Sequence, residues 1–237
     1  MPAVRSALVT GAKGGIGAAV VARLKRDGWA VHGVDLDDGD LTTREGNRAV
    51  VEAALARFGR LDAIVANAGF QHVAPIEAFP EDRFDALVAL LLTSPFLLAR
   101  YAWEALGASG EGRFVAVASA HGLVASPFKV GYVAAKHGVI GLVKALALEG
   151  AERGILTTAV CPGFVRTPLV EAQIRDLALT HGMDEERALE DLILAPHAVK
   201  RLLEPGEVAE TIAFLLGPGG RAFTGVAVTM DLGWTAR

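Results

Sequence analysis

Tyr132 and Lys136 are the pair in this chain best suited to proton chemistry. Residues four apart on a helix share a face, with Cβ atoms roughly 5–6 Å apart, so phenol and ammonium point the same way. For a phenol to work as a base near neutral pH, its pKa must fall from about 10 by roughly three units, or about 4 kcal/mol. A cation about 4 Å from the phenolate oxygen, at an effective dielectric of about 20, supplies about that much. Ser119 closes an apolar run shortly before Tyr132. Its hydroxyl is placed to hold a substrate oxygen.

A second cluster is built for phosphate. Residues 10–17 read Thr-Gly-Ala-Lys-Gly-Gly-Ile-Gly, directly after an apolar run and at the start of a helical pattern. Gly11, Gly15 and Gly17 permit a tight turn in which backbone N–H groups at a helix N-terminus meet a pyrophosphate. The next apolar run ends at Asp35, whose carboxylate can accept from the adenosine ribose hydroxyls and would repel a 2′-phosphate, favouring NAD over NADP. Two features read the other way: Asp35 sits in an acidic run with Asp37, Asp38 and Asp40, and Lys13 in the glycine loop can attract a phosphate. Leu36, not a basic residue, follows Asp35, which keeps NAD as the expected cofactor.

These residues need a scaffold. Short apolar runs at 7–10, 30–35, 63–66, 114–118, 156–160 and 226–230 alternate with helical patterns near 15–28, 45–58, 80–107, 131–153 and 205–217. Strand and helix in alternation give a doubly wound parallel sheet covered on both faces, and near-continuous apolar strands fit such burial. Residues 166–204 depart from the rhythm, as a polar helical insertion of the length of a lid over a substrate.

At 237 residues the chain, 1–237, is expected to form a single α/β domain. A net charge of -4 argues against a nucleic-acid partner. The lone Cys161 excludes a disulfide framework and a cysteine metal site, and no metal is expected. The start has no signal-peptide pattern, and the apolar stretch 86–99 is interrupted by Thr93, Ser94 and Pro95, so no membrane span and a cytoplasmic location are expected.

The chain resembles a short-chain dehydrogenase/reductase. The resemblance is carried by Thr10-Gly11-x-x-x-Gly15-Ile16-Gly17, Asn67-Ala68-Gly69, Ser119, Tyr132-x-x-x-Lys136, Cys161-Pro162-Gly163 and Asp231-Leu232-Gly233-Trp234. It implies a Rossmann-type fold and a catalytic set of Ser119, Tyr132 and Lys136, with Lys136 also holding ribose. It further implies a dinucleotide lying along Gly11, Lys13, Gly15, Ile16, Gly17, Asp35, Asn67, Ala68, Gly69, Tyr132, Lys136, Pro162, Gly163, Val165 and Thr167. A homotetramer built on helices near 84–107 and 131–153 is also implied.

Several stretches are similar to the D-3-hydroxybutyrate dehydrogenase subgroup: Asn67 to His72, Ser119 to Lys129, Tyr132 to Gly138 and Thr167 to Gln173. That resemblance implies that Gln71, His121, Lys129 and Gln173 hold the carboxylate of a small hydroxy acid, with Ser119 and Tyr132 at its hydroxyl and Trp234 closing over it. Phe164 stands where the subgroup often has Trp or Tyr. The implied reaction is interconversion of (R)-3-hydroxybutyrate and acetoacetate.

Two departures from the family pattern stand out. Leu91 occupies the place of an Asn whose helix helps hold a proton-relaying water. The connection from Asp35 to Asp40-Leu41, the adenine-contacting pair of the family, is so short that the intervening helix and most of a strand are missing, shortening the sheet at its strand 2 to strand 3 edge. The alternatives are an oxidoreductase for another small hydroxy acid or ketone, or a cofactor-binding member with impaired catalysis.

Overall fold

The computed structural model describes residues 4–236. Six strands form one all-parallel sheet: β1 (Ser6–Thr10), β2 (Ala30–Val34), β3 (Ala63–Ala66), β4 (Arg113–Val117), β5 (Leu156–Pro162) and β6 (Val226–Met230), in the order β2-β1-β3-β4-β5-β6. Their side chains alternate between two cores. Leu8, Ile64, Phe114, Ala116, Ala159 and Cys161 face α2 (Arg44–Phe58), α4 (Ser94–Ala108) and α5 (Val130–Gly150). Ala7, Val9, Val65, Val115, Val117 and Val160 face α1 (Gly15–Arg26) and α8 (Pro205–Leu216). Period-two alternation with both faces apolar is what a doubly covered sheet requires.

The sheet is shortened where the sequence leads one to expect. β2 is an edge strand, and the chain leaves it through a single 3-10 turn, Leu36–Asp38, before entering α2. Asn47 secures this abbreviated passage from inside the core. Its Nδ2 donates to the carbonyls of Leu41 and Thr43 at 2.8 and 2.6 Å, and its Oδ1 accepts from Ser94 Oγ at 2.6 Å.

The helical pattern at 80–107 is α3 (Glu81–Val88), a π-helical turn (Ala89–Thr93) and α4. Contrary to the expectation from 86–99, the continuous helix Glu81–Ala108 is long and apolar enough to cross a membrane, as is Val130–Arg153. Both pack within the protein, burying Leu87, Leu91, Leu97, Leu98, Ala102 and Leu106 from the first and Val139, Ile140 and Val143 from the second.

The 166–204 insertion holds α6 (Pro168–His181), α7 (Glu185–Ala188) and a π-helical turn (Leu189–Leu194). It has a small core of its own, with Val170, Ile174, Ala178, Ala188, Ile193, Leu194 and Leu202 packed beside Phe164. Its two ends are joined by an isolated bridge between Val165 and Leu203 and by Arg166, which reaches Glu204 at 3.1 Å.

Because Asn47 satisfies three groups at once, Asn47→Ala is expected to cost about 2–3 kcal/mol and lower Tm by roughly 5–10 °C. A thermal melt showing a fall below about 2 °C would mean that the short connection holds without it.

Candidate active site

The C-terminal ends of β1, β3, β4 and β5 converge on one cleft of about 490 Å³ at the point where strand order reverses between β1 and β3. One arm is the glycine loop. A Cβ on Gly17 would lie 1.9 Å from the Gly11 carbonyl oxygen, so this glycine closes the turn against α1 rather than facing the cleft. Asn67 buckles the loop to β3: its Nδ2 donates to the Thr10 carbonyl at 2.9 Å, while Thr10 Oγ1 accepts from the backbone N–H groups of Asn67 and Ala68 at 3.0 Å. The Asn-Ala-Gly motif therefore shapes the phosphate cradle as well as lining it.

Asp35 caps the 3-10 turn after β2. Its carboxylate accepts from Leu36 N at 2.9 Å and from Lys13 N at 2.8 Å. The Lys13 ammonium pairs with Asp37 at 2.5 Å on the exposed surface and is thereby drawn toward that carboxylate. Gly11, Lys13, Gly15, Ile16, Asp35, Asn67, Ala68, Gly69, Pro162, Gly163, Val165 and Thr167 all line the cleft. Asp40 and Leu41 do not. Asp40 accepts from Thr42 N and Oγ1 at 2.9 and 2.6 Å, and Leu41 is buried in the core, because the short connection turns directly into α2.

Ser119, Tyr132 and Lys136 meet in the middle of this cleft. Ser119 follows β4 and caps the 3-10 turn Ala120–Gly122, its hydroxyl accepting from His121 N at 3.1 Å and sharing a hydrogen bond with the Tyr132 phenol. Lys136 Nζ donates to the Val117 carbonyl at 2.7 Å and lies 5.6 Å from the centre of the Tyr132 ring. Behind them the Cys161 thiol accepts from the Ser119 N–H, and burial pushes it up to about 11.

The electrostatics differ from the simple pair argument. Burial raises the Tyr132 pKa, and the hydrogen bond from Ser119 offsets this only in part. Burial also lowers Lys136 to about 8. The expected depression of the phenol is absent in the protein alone, since desolvation penalises both the phenolate and the ammonium that would stabilise it.

Beyond Tyr132 lies a chamber of rings. His121 sits 4.8 Å from Trp234, 6.0 Å from Tyr132 and 6.3 Å from Phe164, measured between ring centres. Lys129 Nζ stands 5.3 Å over the Phe164 ring. Lys129 is 7% exposed, has no carboxylate or hydrogen-bond acceptor among the described residues, and is lowered to about 8 by burial. His121 is pushed down to about 3 by burial and by Lys129, so its ring is neutral, with Nε2 beside Ser126 Oγ at 2.9 Å.

The two glutamines are placed less tightly. Gln71 Nε2 is buried without a hydrogen-bond partner among the described residues, on a loop tied to the 126–129 turn through Ala74 N and the Phe128 carbonyl at 3.0 Å. Gln173 is half-buried on α6, and its side chain makes no hydrogen bond among the described residues. His197, on the insertion, joins the chamber by stacking on Trp234, and nothing in its sequence surroundings marks it. Leu91, from the π-helical turn, lines the cleft, and a Cβ on Gly69 would come within 2.8 Å of its Cδ2.

Residues 38–235 match the family model described as enoyl-(acyl carrier protein) reductase. The chain belongs to the short-chain dehydrogenase/reductase family. It is 38% identical to a D-beta-hydroxybutyrate dehydrogenase of Rhizobium meliloti, covering 98% of this chain and 99% of that one. It is 37% identical to another of that name from Cupriavidus necator, covering 98% of each. An uncharacterized oxidoreductase, YxjF, of Bacillus subtilis is 39% identical, again covering 98% of each chain. Family membership makes the chain an oxidoreductase of a group that uses nicotinamide dinucleotides, and the glycine cradle with Asp35 at its rim fits such a group.

Tyr132→Phe removes the phenolic hydroxyl and keeps the ring that lines the cleft. Turnover should fall by about 10²–10⁴-fold, while dinucleotide binding followed by fluorescence stays close to wild type. Undiminished turnover would remove Tyr132 from the chemistry.

Proposed function

We propose that this enzyme uses NAD to interconvert (R)-3-hydroxybutyrate and acetoacetate. The observation that carries the reading is Lys129, a buried lysine without a counterion among the described residues, in an aromatic chamber next to Ser119 and Tyr132. A buried cation of this kind is costly until an anion reaches it. A short acid with its carboxylate on Lys129 and its hydroxyl at Ser119 and Tyr132 supplies that anion. The unpartnered Gln71 Nε2 is a further donor for it, and the relatives named for this substrate support the same assignment.

In the oxidising direction the Tyr132 phenolate takes the hydroxyl proton while Ser119 holds the oxygen. The bound dinucleotide supplies the hydride acceptor. Lys136 donates to the ribose and adds positive charge near the phenolate. Asp35 accepts from the ribose hydroxyls and opposes a 2′-phosphate, with Asp37 holding the Lys13 ammonium.

A second reading is an oxidoreductase for another small hydroxy acid, and Phe164 favours it by changing one chamber wall relative to the subgroup. The 166–204 insertion serves as a lid in either case. We further assign the enzyme to the cytoplasm as a homotetramer. Its exposed Phe84, Phe96 and Leu148, on the two long helices, fit the expected contact surface.

NADH formation is expected with (R)- but not (S)-3-hydroxybutyrate, and much more weakly with NADP. No rate on either enantiomer, with clear turnover of a different hydroxy acid, would favour the second reading. A pH prediction follows from Lys129. Its lowered pKa means that the ammonium loses its proton above about pH 8, so KM should be flat below that pH and rise above it, approaching tenfold per unit. Lys129→Met should raise KM at pH 7 and abolish that rise. A pH-independent wild-type KM would exclude Lys129 as the carboxylate receptor.

A further inference from the structure

The chamber beside the catalytic residues has a wall that comes from neither the sheet nor a motif. His197 follows the π-helical turn Leu189–Leu194 of the insertion and is 1% exposed. Its ring lies 5.7 Å from that of Trp234 at an interplanar angle of 18°, and 5.8 Å from Phe164. Trp234 thus stands between two histidines, stacked on His197 and met edge-on by His121 at 4.8 Å.

The backbone joins the two sides. Ala198 N and Val199 N both donate to the Leu232 carbonyl, at 3.1 and 3.0 Å. Leu232 itself adopts a φ of 55°, a left-handed conformation uncommon for a residue with a side chain. The turn survives because Asp231 accepts from Gly233 N at 3.0 Å, Thr235 N at 2.7 Å and Thr235 Oγ1 at 2.5 Å, and Asp231 also interacts electrostatically with His197. The insertion and the C-terminal turn are therefore clasped at 197–199 and 231–235, and the clasp is where Trp234 takes its place.

We propose that His197 is a positioning residue that fixes the plane of the Trp234 indole and thereby sets the length of acid that the ring chamber of His121, Phe164 and Trp234 admits. Without that flat contact the indole regains rotameric freedom, which substrate binding must then remove. The wall also yields to a longer chain. This inference rests on the reading of the cleft as a hydroxy-acid site.

The test compares full-length wild type, His197→Ala and His197→Phe with NAD, on (R)-3-hydroxybutyrate and on the acid one carbon longer. For His197→Ala we expect KM on the shorter acid to rise about tenfold with kcat within about twofold, the pattern of lost binding. Its preference for the shorter acid should shrink, and His197→Phe, which keeps a flat ring, should restore both properties. Equal losses in the two variants, a loss confined to kcat, or unchanged chain-length preference would overturn the proposal. Should His197→Ala fail to fold, His197→Gln against His197→Phe makes the same comparison between a ringless and a ringed side chain. A wild type inactive on both acids overturns the hydroxy-acid reading and this inference with it. A wild type active on them, with variants that do not separate, overturns this inference alone.

Discussion

Everything in this cleft depends on the burial of Tyr132 and Lys136 together at the C-terminal edge of a parallel sheet. Burial raises the phenol and lowers the lysine to about 8, so each group resists the charge that the chemistry needs. The protein meets this with fixed dipoles. The Val117 carbonyl accepts a hydrogen bond from Lys136 Nζ, and the Ser119 hydroxyl meets the phenol. The sheet supplies both, because Val117 ends β4 and Ser119 follows it, in register beside β5. Leu91 adds an apolar wall to the same cleft, and the Val117 carbonyl is the fixed partner of Lys136 Nζ among the described residues.

The other end of the cleft shows how much a fold can lose without losing its site. The chain passes from β2 to α2 through one 3-10 turn, and an edge strand can stand without a further neighbour and leave the core closed. The 3-10 turn after β2 keeps Asp35 against the glycine loop, and Asn47 ties the connection to the core with hydrogen bonds to Leu41, Thr43 and Ser94. Asp40 and Leu41, which the resemblance implies at the adenine, serve the turn and the core.

The parts of this arrangement that were legible in the sequence are those tied to backbone periodicity. Alternating apolar runs foretold the six strands, and the truncated edge was visible as a connection too short for a helix. Tyr132 and Lys136 were legible because a four-residue spacing fixes a shared face. Their protonation was not, since it depends on burial from Leu91, Cys161 and the surrounding loops, which no local spacing records. Asn47 and His197 escaped for a similar reason: each acts through partners far along the chain, Ser94 for one and Trp234 for the other. Gln173 was read from a motif, but its place on α6 follows the packing of Val170 and Ile174 into the insertion's own core.

The central claim is that Tyr132 becomes a base only when positive charge is brought into its buried surroundings. The chain has two tyrosines, Tyr101 and Tyr132, so a Tyr101→Phe variant leaves one phenol to follow. Its tyrosinate absorbance, titrated with and without NAD, tests the claim directly. The account predicts a pKa above about 10 in the free protein that falls by at least one unit when NAD is bound, and a smaller fall when Lys136 is replaced by Met. A pKa that NAD leaves unchanged, or that moves equally without Lys136, would contradict it.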